Sequence, residues 1–251
     1  MVIAVLNQKG GVGKTTSVIN LASYLGRADK RVVIVDFDPQ GNATSGIGVD
    51  KQSMESTVYD LITERDSLGS VLKDTSYQNI SILPANQQLA GAEVELAAAI
   101  GREQRLKEAL KALDADFCLI DCPPSLGLLT VNALVAADYV LIPVQSEYYA
   151  LEGLSQLITV VQRVREAYNP NLKILGLVLT MADSRTSLSD QVAKEVQKHF
   201  GDLLFKTIIP RNVRLAEAPS HGKPISEHDR WSKGAKAYKQ LAKELIKRVE
   251  K

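Results

Sequence analysis

The residues best suited to chemistry form the run Lys9-Gly10-Gly11-Val12-Gly13-Lys14-Thr15-Thr16, which directly follows the apolar run 2–6. Glycines in such a run let successive backbone N–H groups turn inward around an anion, and a following helix adds the positive end of its dipole. Lys14 can reach the terminal phosphates of a nucleotide, and the Thr15 hydroxyl can complete a Mg²⁺ shell. The pattern therefore predicts a buried strand, a phosphate-binding loop and a helix.

The loop departs from the common pattern G-x-x-x-x-G-K-[ST], because Gln8 stands where the first glycine is expected. A second lysine, Lys9, stands at the mouth of the loop instead. The G-x-G pattern of residues 11–13 also suits a dinucleotide-binding unit. That fingerprint needs a third glycine where Thr16 stands, and it gives no role to the lysine–threonine pair before it. A triphosphate site is therefore the favoured interpretation.

Two further apolar runs, 32–35 and 117–120, end in acidic residues: Asp36 and Asp38 follow the first, and Asp121 follows the second. Ligands of open α/β sheets bind beyond the carboxyl ends of the strands, so these carboxylates should share one rim with the loop. We expect Asp121 to hold Mg²⁺ or its water shell, although capping of the next turn is an alternative. Asp36 is assigned to the Mg²⁺ and loop hydrogen-bond network, and Asp38 to the attacking water.

Apolar β-branched runs alternate with helical patterns along the chain, which predicts an α/β fold: a doubly wound, mostly parallel sheet with helices on both faces. The predicted strands are Val2–Leu6, Arg31–Asp36, Asn79–Leu83, Asp116–Asp121, Tyr139–Val144, Lys173–Thr180 and Leu204–Ile209. The predicted helices are Lys14–Arg27, Arg102–Leu113, Leu126–Ala136, Leu151–Tyr168, Leu188–Phe200 and Lys233–Val249. Segment 41–75 is predicted to be loop and short helix over the active edge. No linker or repeat interrupts the pattern, so a single domain over 1–251 is expected.

Composition restricts the choice of compartment and partner. A chain of 251 residues with 45% hydrophobic content can bury one large core, and its net charge of +1 requires no polyanionic partner, so any such surface must be local. Cys118 and Cys122 lie roughly 13 Å apart in an extended strand at ~3.3 Å per residue, too far for a disulfide. A reducing cytoplasmic location is expected, since neither a signal peptide nor a membrane-spanning run is apparent.

Four long strings resemble those of one known family: NQKGGVGKTT at 7–16, DFDPQGNATSG at 36–46, DCPPS at 121–125 and IPRNVRLAEAPSHGKPI at 209–225. They closely resemble the chromosomal ParA (Soj) proteins, which belong to the deviant-Walker-A P-loop ATPases together with MinD. The resemblance runs from the first residues to about Trp231.

The resemblance implies ATP as the nucleotide, Mg²⁺ as the metal and a homodimer that encloses two ATP molecules. Lys9 matches the signature lysine that crosses the dimer interface to the partner's phosphates, where it would act with Lys14 on the developing charge. Pro210 and Asn212 match the segment that packs against and hydrogen-bonds adenine; without the resemblance, a strand-terminating turn would be the simpler interpretation. The residues implied to hold the phosphates are Gly10, Gly11, Gly13, Lys14, Thr15 and Thr16.

The expected function is that of a slow ATPase timer for chromosome or plasmid partition. No built-in arginine stands near the predicted water-positioning carboxylate, so unassisted hydrolysis should be slow. By the same resemblance, the accelerator is a ParB (Spo0J)-like centromere-binding protein. ATP would hold the dimer together, and hydrolysis would release it.

A local basic surface favours nonspecific binding of double-stranded DNA and hence association with the nucleoid. Between residues 206 and 239 there are eight lysines and arginines against three acidic residues. A solvated C-terminal helix with ordinary lysines is the alternative. The residues first expected to contact DNA are Arg185, Arg214, Lys223 and Arg230.

A MinD-like ATPase that works at a membrane surface is the rival function. The apolar positions of the last predicted helix, interspersed with lysines, could form an amphipathic anchor. The same stripe is required of a final helix packed on the sheet, and the string at 209–225 resembles ParA, so no stable membrane insertion is expected. These positions are Tyr238, Leu241, Leu245, Ile246 and Val249.

Overall fold

The computed structural model describes residues 1–146, 150–183 and 187–250, with only the backbone described at 150–152 and 187–190. A seven-stranded sheet forms its centre, in the order β3-β4-β2-β5-β1-β6-β7. Only the short edge strand β3 is antiparallel to its neighbour. The strands are β1 (Val2–Val5), β2 (Val32–Asp36), β3 (Lys73–Asp74), β4 (Ile80–Leu83), β5 (Phe117–Asp121), β6 (Tyr139–Gln145) and β7 (Lys173–Thr180).

Twelve α-helices lie in the described ranges, and they cover both faces of the sheet. Helices α1, α2 and α10–α12 pack on one face around Leu21 and Leu241, and α3 and α5–α9 pack on the other around Leu134 and Leu157. The predicted doubly wound architecture is confirmed. The helices are α1 (Lys14–Gly26), α2 (Asn42–Gly46), α3 (Val58–Ile62), α4 (Leu68–Val71), α5 (Leu89–Glu95), α6 (Arg105–Ala109), α7 (Leu128–Ala136), α8 (Ala150–Ala167), α9 (Ser187–Phe200), α10 (Val213–Glu217), α11 (Ile225–His228) and α12 (Lys233–Val249).

The register of the central strands brings three strand ends level. Val5 of β1 pairs with Asp121 of β5, and Asp121 pairs in turn with Asp36 of β2. Every residue of β2 and β5 is buried, because helices cover both faces of these strands. The two terminal carboxylates therefore lie inside the protein, not in solvent.

The predicted strand at Leu204–Ile209 is wrong. Isolated parallel bridges pair Leu204 with Leu177 of β7 and Pro210 with Ala182, just beyond β7, and the N–H groups of Phe205 and Ile209 donate to carbonyls of β7. Glu244 of α12 accepts hydrogen bonds from the N–H groups of Lys206 and Thr207 at 2.8 and 3.0 Å. Thr207 lies between Phe205 and Ile209 but donates to Glu244, so the pairing with β7 is interrupted and a continuous strand does not form.

Other predictions differ mainly at the ends of elements. The predicted helix Arg102–Leu113 divides into a 3₁₀ turn, Arg102–Gln104, and α6. Segment 41–75 contains α2, α3, α4 and the two-residue strand β3, which is too short to leave a hydropathy pattern.

Cys118 and Cys122 are buried and form no disulfide bond. Among the described helices, none has the length and apolar character needed to cross a bilayer.

Buried polar groups join α1 to the C-terminal helices. The hydroxyl oxygens of Ser17 and Tyr238 lie 3.1 Å apart, and the Asn20 side-chain oxygen accepts a hydrogen bond of 2.7 Å from the N–H of Ile225. Ser17 and Asn20 are three residues apart, so both lie on the same face of α1. The helix that follows the predicted phosphate loop is thus bonded to both α11 and α12.

Candidate nucleotide-binding and catalytic site

The loop between β1 and α1 has the backbone shape of an anion cradle. Gly11 and Gly13 have left-handed φ angles of 73° and 89°, which residues with a Cβ rarely adopt. A Cβ added at Gly10 or Gly11 would meet no atom within 4 Å, so the space beside the loop is open. Helix α1 begins after Gly13 without a side-chain cap, which leaves N–H donors of its first turn available to an anion.

Two side chains outside the lysine–glycine run hold the loop against neighbouring strands. Asn7 donates to the carbonyl of Pro143 at 2.7 Å and accepts from the N–H of Lys9 at 3.0 Å. Thr180, the last residue of β7, donates to the carbonyl of Val12 at 2.8 Å. Neither Asn7 nor Thr180 was predicted to have a role. The position of Asn7 next to the loop and that of Thr180 at a strand end were the features that could have indicated one.

Lys14 is buried at the start of α1, with only 7% of its surface exposed. Its ammonium group donates to the carbonyl of Lys9 at 3.3 Å. Burial lowers the pKa of Lys14, while the negative charges of Asp121 and Asp38 oppose that shift. A second anion beside this amine would compensate the cost of burying its charge.

Asp36 is fully buried and organises the segment that follows β2. Its Oδ2 accepts hydrogen bonds from the N–H and hydroxyl of Thr44 at 2.7 and 2.6 Å, and its Oδ1 accepts a weak one from the N–H of Asp38. Burial raises the pKa of Asp36 to about 6, against the effect of these hydrogen bonds. Thr44 also accepts a hydrogen bond from the N–H of Ala85 at 3.0 Å, so it links α2 to the residues that follow β4. Thr44 was not predicted to have a role.

Asp121 presents a carboxylate without hydrogen-bond partners to the rim of the phosphate loop. Both carboxylate oxygens are buried, and neither has a hydrogen-bond partner among the described residues. Burial and the adjacent Asp36 raise the pKa of Asp121. The Thr15 side chain and the ammonium of Lys14 favour its charged form, but Thr15 lies outside good hydrogen-bond geometry. This orphaned carboxylate fits a cation ligand.

The site suits Mg²⁺ better than it suits a metal ion whose ligands all come from the protein. Within the described residues, no group of three or more His, Cys, Asp or Glu side chains could hold a metal. Mg²⁺ commonly takes one or two protein oxygens and completes its shell with water and substrate phosphates. The orphaned oxygens of Asp121 beside the N-terminal turn of α1 fit that arrangement.

Asp38 lies further out on the same rim and is 9% exposed. Its Oδ1 accepts a hydrogen bond of 2.9 Å from the N–H of Gln40, and its carbonyl accepts one of 2.9 Å from Gly41. Its Oδ2 accepts none from a described residue, which leaves one oxygen to meet a ligand or water. Lys9 is exposed at the mouth of the loop.

The predicted adenine segment lies at the carboxyl end of β7, on the same edge of the sheet. Pro210 forms a parallel bridge with Ala182, and the N–H of Arg211 donates to the carbonyl of Ala182 at 3.0 Å. The side-chain oxygen of Asn212 caps α10 by accepting from the N–H of Leu215. The cap fixes the Asn212 carboxamide and leaves its NH₂ group available to a ligand acceptor.

A protein-family model described as an AAA domain matches residues 1–174. The chain is 56% identical to the sporulation initiation inhibitor protein Soj of Bacillus subtilis, with 97% of each chain covered. It is 52% identical to the chromosome-partitioning ATPase Soj of Thermus thermophilus, with 99% of this chain and 96% of that one covered. It belongs to the Soj/ParA family of chromosome-partitioning ATPases.

A solved structure supports the fold of this ParA family member. A crystal structure of a Mycobacterium smegmatis protein, described as cobyrinic acid a,c-diamide synthase with bound ADP and magnesium, superposes with a TM-score of 0.88. It is 38% identical, and the match covers 99% of this chain and 95% of that one. The doubly wound sheet predicted for a P-loop ATPase is thus shared with a protein that binds a nucleotide and Mg²⁺.

The four residues predicted to contact DNA have different surroundings in this ParA-type chain. Arg185 lies outside the described residues. Arg214 is paired with Glu217 at 2.8 Å and lies 3.7 Å from Asp229, so its charge is partly neutralised. Arg230 stacks over the ring of Trp231, and Lys223 is exposed.

The structure contains a basic groove between α12 and segment 202–210, which the order of charges along the sequence does not reveal. It consists of two adjoining cavities of about 1050 and 510 Å³, both lined by Lys206 and Lys236. Two acidic residues, Asp202 and Glu244, also line it, and Glu244 is already engaged with backbone N–H groups. The further cations that line the groove are Lys173, Lys233, Lys239, Lys243, Lys247 and Arg248.

Proposed function

We propose that this chain is a DNA-partitioning ATPase whose ATP-bound homodimer binds DNA without sequence preference and whose slow hydrolysis of ATP releases it. The observation that supports this most directly is the pairing of two buried carboxylates, Asp36 and Asp121, beside the glycine loop and Lys14. Such an arrangement suits a bound cation and a polyphosphate. The family membership makes ATP the nucleotide.

In the proposed reaction, the loop N–H groups and Lys14 hold the phosphates of ATP. Thr15 and Asp121 hold Mg²⁺, which neutralises charge on the phosphate oxygens. Asp36 acts in this network, positioned by its hydrogen bonds to Thr44. Thr16 and the three loop glycines complete the phosphate cradle.

Asp38 is proposed to orient the attacking water through its unengaged Oδ2. The water oxygen forms a bond to the γ-phosphorus, and the bond between that phosphorus and the β,γ-bridging oxygen breaks. The proton of the water leaves by way of Asp38, and the products are ADP and inorganic phosphate. Lys9 of each protomer is proposed to reach the phosphates bound by the other, where its charge stabilises the transition state.

Slow turnover is expected of the proposed site, because no described arginine pairs with Asp38 to stabilise the transition state, and Gln40 meets Asp38 through its backbone N–H. Unassisted P-loop GTPases turn over on the order of 10⁻⁴ s⁻¹, and a similar scale is expected here. A ParB-like protein is proposed as the accelerator. Turnover of tens per second by the purified chain alone would contradict the timer.

DNA binding is proposed for the basic surface of the C-terminal third. Lysines along α12 and the groove beside it provide charges that two protomers could present together, so binding depends on the dimer and hence on ATP. If the dimer meets about six phosphates, the logarithm of affinity falls with the logarithm of salt concentration with a slope near −5. Nucleoid association in the cell is the expected consequence.

The burial of the α12 apolar stripe favours DNA over a membrane as the surface that this ATPase uses. Tyr238, Leu241 and Leu245 are at most 1% exposed, and Ile246 and Val249 pack against the same core. The positions that could have formed an amphipathic anchor are therefore occupied in holding α12 to α1 and the sheet. This burial weighs against the MinD-like alternative.

The deciding experiment measures DNA binding and solution size for the wild type, Asp38→Ala and Glu55→Ala, each with ATP, ADP or no nucleotide. We expect only ATP to support dimers and DNA binding, and Asp38→Ala to remain bound because it cannot hydrolyse ATP. Glu55 is an exposed carboxylate to which we assign no role in the site, so its variant should match the wild type. Equal binding with ADP and ATP, or a monomeric Asp38→Ala protein in saturating Mg²⁺ and ATP, would refute the proposal.

A further inference from the structure

The chain has a single tryptophan, and it lies on the surface: Trp231 is 72% exposed in the turn before α12. Large aromatic side chains are usually buried, because water contact with their apolar surface is unfavourable. Exposed tryptophan accompanied by arginine is typical of surfaces that bind a partner. The indole therefore calls for a functional explanation.

The position of Trp231 is fixed by its neighbours and not left to a flexible loop. Asp229 Oδ1 accepts hydrogen bonds from the N–H groups of Trp231 and Ser232 at 3.2 and 3.1 Å. Ser232 in turn caps α12 by accepting from the N–H of Ala235 at 3.1 Å. The indole is thus presented at a defined place at the start of α12.

The surroundings of the indole are cationic. The guanidinium carbon of Arg230 lies 4.9 Å from the centroid of the Trp231 ring, within cation–π range. Lys233 begins α12 two residues later. A partner that touches the indole therefore meets at least two positive charges beside it.

The charges continue from this point along α12. Lys236, Lys239, Lys243 and Lys247 recur every three or four residues, and all four line the basic groove. At 1.5 Å per residue they span roughly 16 Å of helix. A linear row of cations matches the evenly spaced phosphates of a nucleic-acid backbone better than the irregular charges of a folded acidic protein.

We propose that Trp231 is a DNA-contacting residue, whose indole packs on the apolar surface of the deoxyribose backbone of duplex DNA while Arg230 and Lys233 meet the flanking phosphates. This rests on the proposed DNA binding and assigns the contact that charge alone does not provide. Contacts with the sugar are tolerant of sequence, because every nucleotide carries the same deoxyribose. Trp231 therefore adds affinity without adding sequence preference.

The test titrates a labelled mixed-sequence duplex with the wild type, Trp231→Ala and Trp231→Phe in the presence of Mg²⁺ and a nonhydrolysable ATP analogue. Trp231→Ala should weaken binding about tenfold because the apolar contact of the indole is lost, with Trp231→Phe in between. Its salt slope should match that of the wild type, because the lysines still release the counterions. In the wild type, the fluorescence of the only tryptophan should change on addition of duplex.

Two controls make the result specific. Tyr168, an exposed aromatic residue next to the C-terminal end of α8, gives the matched variant Tyr168→Ala, which should bind as the wild type does. Basal ATP hydrolysis of Trp231→Ala should be unchanged, since Trp231 is outside the nucleotide site. A wild type that binds DNA without any change in tryptophan fluorescence, together with undiminished affinity of Trp231→Ala, would overturn this inference while leaving DNA binding intact. That result would indicate a protein partner for the indole, and absence of DNA binding by the wild type would overturn both proposals.

Discussion

Asp36 and Asp121 occupy paired positions at the ends of β2 and β5, and both carboxylates are fully buried. Thr44 satisfies one of them, whereas the other has no hydrogen-bond partner among the described residues. Two adjacent buried carboxylates disfavour the apo protein, so the site stores a cost that a bound cation removes.

Replacing Asp121 with asparagine should therefore raise the stability of the apo protein and lower its rate of hydrolysis. The substitution removes a buried carboxyl group whose ionisation is opposed by burial and by Asp36, so the apo variant should gain about 1–3 kcal/mol of unfolding free energy at neutral pH. Hydrolysis should fall by about 100-fold or more, because Mg²⁺ loses a protein ligand. Thermal unfolding with and without Mg²⁺ and ATP measures the first effect, and phosphate release measures the second. A less stable apo variant with normal hydrolysis would contradict the assignment.

The pKa of Asp36, raised by burial to about 6, predicts a pH dependence of apo stability. Between about pH 4 and pH 6 the folded protein holds a proton at Asp36 that the unfolded chain has already released, so this contribution to stability falls as pH rises. Denaturant unfolding at several pH values should show this slope in the wild type relative to Asp36→Asn. A difference between the two proteins that does not vary with pH would contradict it.

Gly234 allows α10 and α12 to approach closely. A Cβ at Gly234 would lie 2.6 Å from Leu215 Cγ and 2.7 Å from its Cδ1. Gly234→Ala should therefore cost about 1–3 kcal/mol and weaken ATP binding through α10, which Asn212 caps. The matched control is Gly91→Ala in α5, where a Cβ meets nothing within 4 Å and helix propensity should stabilise the protein by up to about 1 kcal/mol. Unfolding curves of both variants would reveal the contrast, and equal effects would exclude steric contact as the cause.

Replacement of the two loop lysines, Lys9 and Lys14, should affect different properties. Lys14→Ala should lose binding of labelled ATP, because the buried amine beside the phosphates is gone. Lys9→Ala should still bind ATP but not form the nucleotide-dependent dimer, because its side chain is proposed to act across the interface. Equilibrium binding and light scattering measure the two properties. Dimerisation of Lys9→Ala with wild-type affinity would remove its role between protomers.

The phosphate loop and the sheet could be predicted from the sequence because their signals lie in consecutive residues. These signals are the loop glycines, the carboxylates at strand ends and the β-branched runs. Thr44, Asn7 and Thr180 were missed because each contacts a residue that only folding brings close: Ala85, Pro143 and Val12 respectively. The error at Leu204–Ile209 has the same origin, since Glu244, distant in sequence, accepts the hydrogen bond from the N–H of Thr207 that interrupts the pairing with β7.

The polar contacts of Ser17 and Asn20 with the C-terminal helices have a mechanical consequence. Hydrogen bonds inside a protein are directional, and sliding α1 past α12 would strand the Ser17 and Tyr238 hydroxyls without partners. Apolar faces could slip at lower cost. Any displacement of α1 that accompanied nucleotide binding would therefore be passed on to α11 and α12 through these hydrogen bonds.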